Sequence, residues 1–275
     1  MKPIDFDGLF DKKLAKYLQE NAGKFTEKQW EDKIPALYQK FGDTYLKSID
    51  STPRGYYARM SDKELVDELL SHIQADIPIS DFLCREIEKR DCPEEILPLF
   101  DCKDEQLLTL AINLAGANPI AFDKYFALLK GDADREIKDT VVDQLKMNAD
   151  AAKERALTFY QEGIEKELML EVLSRTKERD DSVFNVLLAA FREGEELPMR
   201  ASYLAAYGDS RALPVLLERI AAEDINFLEF RELKYAIEAL GGEYTEERDF
   251  STDPYYQEFL SEQQLPPDLL QEKKE

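Results

Sequence analysis

Apolar residues recur at helical spacing along almost the whole chain. Positions i, i+3, i+4 and i+7, which line one face of an α-helix, are occupied in one clear example by Phe122, Tyr125, Phe126 and Leu129. Regular alternation of apolar and polar residues, the pattern of a half-buried strand, is not sustained in any segment. The pattern therefore predicts an all-α protein.

Local signals support the helical prediction at both ends of the expected helices. Thr26 with Gln29, and Ser61 with Glu64, have the spacing in which two side chains satisfy the exposed amides of a first helical turn. Glycines, which end helices because they adopt a positive φ at little cost, follow apolar segments at Gly116, Gly131, Gly163, Gly194, Gly208 and Gly241.

The helices also repeat. The apolar stripe at residues 122–129 has counterparts 31 residues later at 153–160, again at 184–191, and after a shift of 29 at 213–220. A second set of helices is predicted to begin near Asp134, Glu165, Glu196 and Phe227, which keep the same period. One hairpin of this size cannot bury its own apolar face, so the shared period predicts hairpins that stack on their neighbours.

One copy resembles a known repeat family. The segment Gly208-Asp209-Ser210-Arg211-Ala212-Leu213-Pro214-Val215-Leu216-Leu217, followed by Arg231, Ala236, Ala239, Leu240 and Gly241, is similar to the short bacterial HEAT-like repeat. Proline early in the first helix is common in that family and occurs here as Leu213-Pro214, Leu97-Pro98 and Ile34-Pro35. The resemblance covers about residues 94–242. It implies a right-handed α-α superhelix, with the second helices lining the concave side.

The same patterns predict three parts. Residues 1–90 are expected to form about four diverged helices that cap one end, with a turn at Asp50-Ser51-Thr52-Pro53-Arg54-Gly55. Residues 91–242 form the predicted repeat array. Residues 243–275 are expected to hold a capping helix that begins after Asp253-Pro254, followed by a frayed, proline-containing tail from Leu265.

Charge narrows the classes of partner. The chain has 58 acidic and 36 basic side chains and a net charge of -22. Such a field repels phosphate backbones and anionic membranes and attracts basic partners. Nucleic acid and membrane are therefore not expected as partners. Without a long apolar segment or a signal-like start, the chain is expected to be cytoplasmic, and a monomer is favoured.

Few residues suggest catalysis or metal binding. Cys84, Cys92 and Cys102 form no CxxC pair and are expected to be reduced and half-buried, although a redox role stays open. His72, the only histidine, lies on a plain amphipathic segment and is expected to be a surface or half-buried structural residue. Because phosphate-loop, nucleophile-elbow and HExxH motifs are missing from the sequence, no catalytic residue, metal or cofactor is predicted.

Six residues of the predicted second helices are candidates for contact with a partner. Lys138, Arg200 and Arg231 occupy the same position of the repeat; in HEAT-like proteins a base here commonly bonds the acidic turn of an adjacent repeat, and the alternative is a row of cations facing a partner. The other three, Tyr203, Tyr207 and Tyr235, either form an aromatic strip facing the groove or pack in the core.

These observations favour a non-catalytic protein-interaction module or adaptor, using the concave surface to bind a basic partner or one that presents a basic or amphipathic helix. One alternative is a HEAT-like enzyme of the DNA glycosylase or bilin lyase type, as the resemblance allows. Another is an inhibitory or immunity-type protein that neutralises a basic enzyme. The sequence does not separate a scaffold from an inhibitor.

Overall fold

A computed structural model describes residues 3–90, 93–102 and 104–263. Within these ranges the regular structure is helical, apart from one isolated bridge between Leu46 and Ser51. The all-α prediction is therefore confirmed. The chain divides into two compact units, residues 1–125 and residues 126–275. The boundaries predicted at residues 90 and 242 stay predictions.

Sixteen α-helices occur in the described residues, together with short 3-10 turns at Leu97–Asp101, Pro119–Ala121 and Ser210–Ala212. The α-helices are α1 (Phe6–Glu20), α2 (Glu27–Gly42), α3 (Pro53–Ala58), α4 (Asp62–Gln74), α5 (Asp81–Arg90), α6 (Pro93–Ile96), α7 (Glu105–Ala115), α8 (Phe122–Lys130), α9 (Arg135–Met147), α10 (Ala149–Gln161), α11 (Lys166–Leu173), α12 (Asp181–Arg192), α13 (Leu197–Tyr207), α14 (Leu213–Ile220), α15 (Phe227–Ala239) and α16 (Pro254–Gln263).

The core of the first unit lies around α5, which packs against α3, α4 and α7. Its fully buried side chains include Tyr57, Leu65, Leu69, Leu83 and Ile87. Both predicted capping boxes are present at the starts of α2 and α4. They work as the spacing predicts, with each cap side chain accepting a bond from the third helical amide.

Two predictions for the first unit were wrong in detail. The segment from Asp50 to Gly55 contains more than a turn, because Thr52 caps the amide of Gly55 and Pro53 occupies the first position of α3. A cap followed by proline is also a helix start signal. Pro35 lies inside α2 and not in its first turn. Pro214, by contrast, lies in the first turn of α14.

His72 is wholly buried, so the expected surface or half-buried position was wrong. The chain turns back after α4, where the amide of Ile77 donates to the carbonyl of His72 at 3.0 Å. This turn brings the carbonyl of Pro78 to 2.8 Å from the ring Nδ1. The side chain therefore has a structural position inside the first unit.

The second unit consists of successive helical hairpins. Helix α10 packs on α11, α12 on α13, and α14 on α15, while the second helices α9, α11, α13 and α15 also pack in sequential order. Stripe residues such as Phe184, Leu187, Phe191, Leu216 and Ile220 are buried, as the helical spacing predicts. Sequence neighbours are therefore also neighbours in space along this unit.

The turns inside two hairpins have the same backbone conformation. Gly163 and Gly194 have φ values of +76° and +78°, and Glu165 and Glu196 have φ values of +44° and +43°. The two turns lie 31 residues apart, which is the period of the apolar stripes. Because positive φ is costly for a side chain other than glycine, the matched conformation indicates that both hairpins close in the same way.

Polar bonds join each hairpin to the next. Lys153 Nζ lies 2.9 Å from Asp180 Oδ2, and Asp150 Oδ1 accepts from the amide of Lys177 at 2.9 Å. One hairpin earlier, Lys138 Nζ on α9 lies 2.8 Å from Oε1 of Glu165, at the start of α11. Each of these bonds spans 27 residues, so the polar contacts follow the repeat.

Helix α16 closes the described part of the second unit against α15. The carboxylate of Asp253 accepts from the amide of Tyr255 at 2.8 Å and from the amide of Phe227 at 2.9 Å, so it caps both helices. The predicted helix after Asp253-Pro254 is therefore present. The predicted frayed tail and Cys92 lie outside the described residues, whereas Cys84 and Cys102 are free thiols of intermediate exposure.

Candidate functional site

The six candidate residues do not form one surface. Lys138 lies on α9, Arg200, Tyr203 and Tyr207 lie on α13, and Arg231 and Tyr235 lie on α15. The structure brings Arg231 and Tyr235 together at one cavity, and Tyr203 and Tyr235 together at another. Lys138, Arg200 and Tyr207 line neither of these two cavities.

Lys138 and Arg200 are held by carboxylates of the hairpins. Lys138 Nζ lies 2.8 Å from Glu165 Oε1, in the turn of the next hairpin. Arg200 is 4% exposed, and its guanidinium contacts Glu167 at 2.6 Å and Glu193 at 3.0 Å. Arg200 is therefore not available to a partner. The geometry is that of bases bonded to acidic turns and not that of an open row of cations.

Two of the three tyrosines are interior residues. Tyr207 is 2% exposed and its hydroxyl is bonded to the backbone of Asp180, so it cannot contact a partner. Tyr203 is 9% exposed, with one edge at a cavity. Burial raises the pKa of Tyr203, and the charges of Glu171 and Glu167 add to this shift, so its hydroxyl stays a neutral donor at physiological pH.

The larger cavity, here called the C-terminal cavity, lies between α15 and the chain that leads to α16. Its volume is about 900 Å³. Its aromatic lining comes from Phe227, Phe230, Tyr235, Phe250 and Tyr256. Five carboxylates and three cations also line it, namely Glu232, Glu238, Glu246, Glu247 and Asp249 with Arg231, Lys234 and Arg248. Acidic side chains thus outnumber basic ones at an aromatic site.

Two of these cations are engaged within the protein. Arg248 donates to the carbonyls of Ala222 and Ile220 at 2.8 and 2.9 Å, and so caps the end of α14. The guanidinium of Arg231 lies 4.9 Å from the ring centroid of Phe259, a cation–π contact. Both arginines therefore help to shape the cavity.

A smaller cavity, here called the α13–α15 groove, has a volume of about 430 Å³. Small residues form much of its lining, namely Ser202, Ala205, Ala206 and Ala239. Met199 and Tyr235 also line it and are 38% and 62% exposed. Tyr235 belongs to both cavities, which makes the two one continuous surface along α15.

Comparisons with protein-family models, with curated proteins and with solved structures find no match to this chain. Among the described residues, no group of three or more histidine, cysteine and acidic side chains is arranged to hold a metal ion, and no helix has the length and apolar content needed to cross a bilayer.

Sequence reasoning missed Met199 and Arg248 as residues of this surface. Met199 occupies the repeat position of Ile137 and Leu168, which are 3% and 2% exposed, whereas Met199 is 38% exposed. The alignment of the repeats predicts a buried residue at position 199, so the sequence has no signal for the exposure of Met199. Arg248 lies in an acidic segment whose folding back onto α14 has no periodic signal in the sequence.

Proposed function

We propose that this chain is a non-catalytic protein–protein interaction module or adaptor. Its binding surface is the continuous one formed by the C-terminal cavity and the α13–α15 groove. The partner is positively charged and presents a basic or amphipathic helix. The observation that carries the proposal is Tyr235, which is 62% exposed at the junction of the two cavities.

The proposed architecture of the second unit is a HEAT-like right-handed superhelix with the second helices on its concave side. The sequential packing of α9, α11, α13 and α15 supports this arrangement, because stacked repeats contact only their neighbours. The two matched turns at Gly163 and Gly194 support it as well. The candidate surface lies on α13 and α15, which are second helices.

An exposed tyrosine next to an exposed methionine is typical of a binding surface. Tyrosine buries a large rigid ring on binding and keeps a polar hydroxyl, while methionine adapts to different partner side chains. Tyr235 and Met199 line the same groove, whose small residues leave room for a partner side chain. Aromatic anchors of this kind commonly contribute most of the affinity of an interface.

Charge favours a basic partner. Five carboxylates against three cations line the C-terminal cavity, and Arg231 and Arg248 are engaged with aromatic rings or backbone carbonyls. A helix in a groove places apolar side chains at i and i+4 and leaves flanking positions for charges. Lysine or arginine at those flanking positions would face carboxylates such as Glu238 and Glu246.

Site-specific photo-crosslinking tests the proposal. A benzophenone amino acid replaces Tyr235 in one tagged protein and Tyr255 in a matched control, since Tyr255 is 50% exposed but lines neither cavity. Both proteins are irradiated in extracts of the source cells. We expect a specific adduct from position 235 that Met199→Asp abolishes and that the control does not give.

The captured protein is then purified and its affinity is measured by calorimetry. Tyr235→Ala should weaken binding by at least about tenfold, or ~1.4 kcal/mol, and Tyr255→Ala should leave the affinity unchanged. Binding should also weaken as salt rises. Equal adducts from the two positions, or an acidic partner whose binding ignores salt, would contradict the proposal.

A further inference from the structure

A separate groove lies in the first unit, between α1 and α2. Its volume is about 290 Å³, and it is here called the α1–α2 groove. Its apolar lining comes from Phe10, Leu14, Tyr17, Leu37 and Phe41. Only Phe10 and Phe41 are buried, while Leu14 and Leu37 are half-buried and Tyr17 is 37% exposed. Three of these five apolar residues are therefore partly open to solvent.

The apolar face continues beyond the groove. Leu18, Trp30 and Ile34, which carry on the same helical stripes, are also only half-buried. The hairpins of the second unit differ, because stripe residues such as Phe184 and Leu187 are buried there. End hairpins of helical arrays normally need a polar outer face for solubility. The α1–α2 hairpin instead has apolar residues for which the first unit provides little cover.

The charge of the groove is opposite to that of the protein. Its charged lining residues are both lysines, Lys13 and Lys40, whereas the whole chain has a net charge of -22. Lys13 Nζ lies 4.9 Å from the ring centroid of Phe41, and neither lysine forms an ion pair in the described part of the chain. A ligand that fits this groove therefore needs an apolar surface flanked by negative charges.

We propose that the α1–α2 groove binds an acidic amphipathic helix of a partner protein. Apolar side chains of the partner, one helical turn apart, would cover Leu14 and Leu37, and flanking carboxylates would pair with Lys13 and Lys40. Two-fold pairing of two copies of this chain would instead bring lysines against lysines. The charge therefore favours a different protein over a second copy.

The chain has a built-in reporter for this groove. Trp30 is its only tryptophan, and its ring lies 6.1 Å from that of Tyr17 in an edge-on contact. Because Tyr17 lines the groove, an occupant should change the emission of Trp30. Replacing Trp30 with phenylalanine removes the signal and gives the background of the titration.

The test uses the full chain and three defined probes. The first is a helical peptide of about five turns (~18 residues) with leucines along one face and glutamates beside them. The second has lysines in place of the glutamates, and the third is sodium laurate. We expect saturable binding of the glutamate peptide, and binding of the lysine peptide at least about tenfold weaker. Raising the salt concentration should weaken the glutamate peptide's binding.

Variants locate the binding. Lys13→Glu combined with Lys40→Glu should weaken the glutamate peptide at least about tenfold, and Leu14→Ser should do the same. Lys63→Glu is the matched control, because Lys63 is exposed in the same unit and does not line the groove. It should keep the wild-type affinity. Circular dichroism checks that each variant keeps its helical content.

Several results would overturn the proposal. Equal affinity for the two peptides would remove the role of charge, and binding of laurate alone would assign the groove to a small amphiphile. Self-association measured by light scattering and abolished by Leu14→Ser would assign it to a second copy. Failure of the glutamate peptide to bind a folded protein would reject the groove as a helix site.

Discussion

Removing the guanidinium of Arg200 should destabilise the second unit strongly. One terminal nitrogen of Arg200 donates to the carbonyl of Ala190 at 2.6 Å and to Glu193 at 3.0 Å, and the other donates to Glu167 at 2.6 Å. Arg200→Met keeps most of the apolar stem and removes all three bonds. The substitution therefore isolates the polar contribution of a buried base.

The expected loss of stability is the sum of the effects on the three groups that bond Arg200. Ala190 is 1% exposed, and its carbonyl keeps only the shared amide of Glu193 at 3.2 Å, so it loses a charged donor that contributes about 1.5–3 kcal/mol. The side chains of Glu167 and Glu193 are 37% and 47% exposed and regain water, so each pairing contributes at most about 1 kcal/mol. The free energy of unfolding should fall by about 2–4 kcal/mol.

Urea denaturation followed by circular dichroism measures this difference. Glu167→Gln alone should cost less than about 1 kcal/mol, and the double variant should lose less than the sum, because the two side chains are directly paired. Arg200→Lys should show an intermediate loss, since one ammonium cannot reproduce the forked contacts. A loss below about 0.5 kcal/mol for Arg200→Met, or strict additivity in the double variant, would refute the reasoning.

Three further predictions concern single positions. Gly163→Ala should destabilise the protein by about 1–2 kcal/mol in urea denaturation, because φ is +76° there and alanine resists that conformation although nothing blocks its Cβ; unchanged stability would contradict it. The pKa of Asp180 is lowered, mainly by the hydrogen bond from Lys153. The stabilising effect of the ionised Asp180 is therefore complete above the unfolded pKa of about 3.9, and it is lost as the pH falls through the lower folded pKa. The stability difference between wild type and Asp180→Asn should accordingly shrink below about pH 4, and a difference that grows there would show that the sign is wrong. Burial, followed by the charges of Glu88 and Asp81, raises the pKa of the Cys84 thiol to about 11, so iodoacetamide at neutral pH should alkylate it much more slowly in the folded than in the unfolded protein, as mass spectrometry would show; alkylation of the folded protein as fast as at Cys102 would contradict this.

Helix class and helix positions could be predicted because they depend on local patterns. The stripe at residues 184–191 lies within α12, and the capping box at Ser61 starts α4 where the spacing predicts it. Both signals act within one or two helical turns of the residue concerned. The start of α3 was missed because Thr52-Pro53 carries the signal of a turn and of a helix alike.

The candidate surface could be predicted only in part, because exposure depends on contacts between distant segments. Tyr203, Tyr207 and Tyr235 have similar sequence surroundings, yet only Tyr235 is largely exposed. Arg231 and Arg200 occupy the same repeat position, but Arg200 meets three carboxylates and Arg231 meets the ring of Phe259 on α16. A single sequence does not state how the chain after residue 242 folds back.

The bonds from Lys138 to Glu165 and from Lys153 to Asp180 have a consequence for how the second unit comes apart. Each connects a hairpin only to the adjacent one, so loosening of a terminal hairpin removes the support of its single neighbour and leaves the others intact. Local unfolding should therefore spread inward from an end of the unit, one hairpin at a time. Amide exchange would then slow progressively from the terminal hairpin towards the middle of the unit.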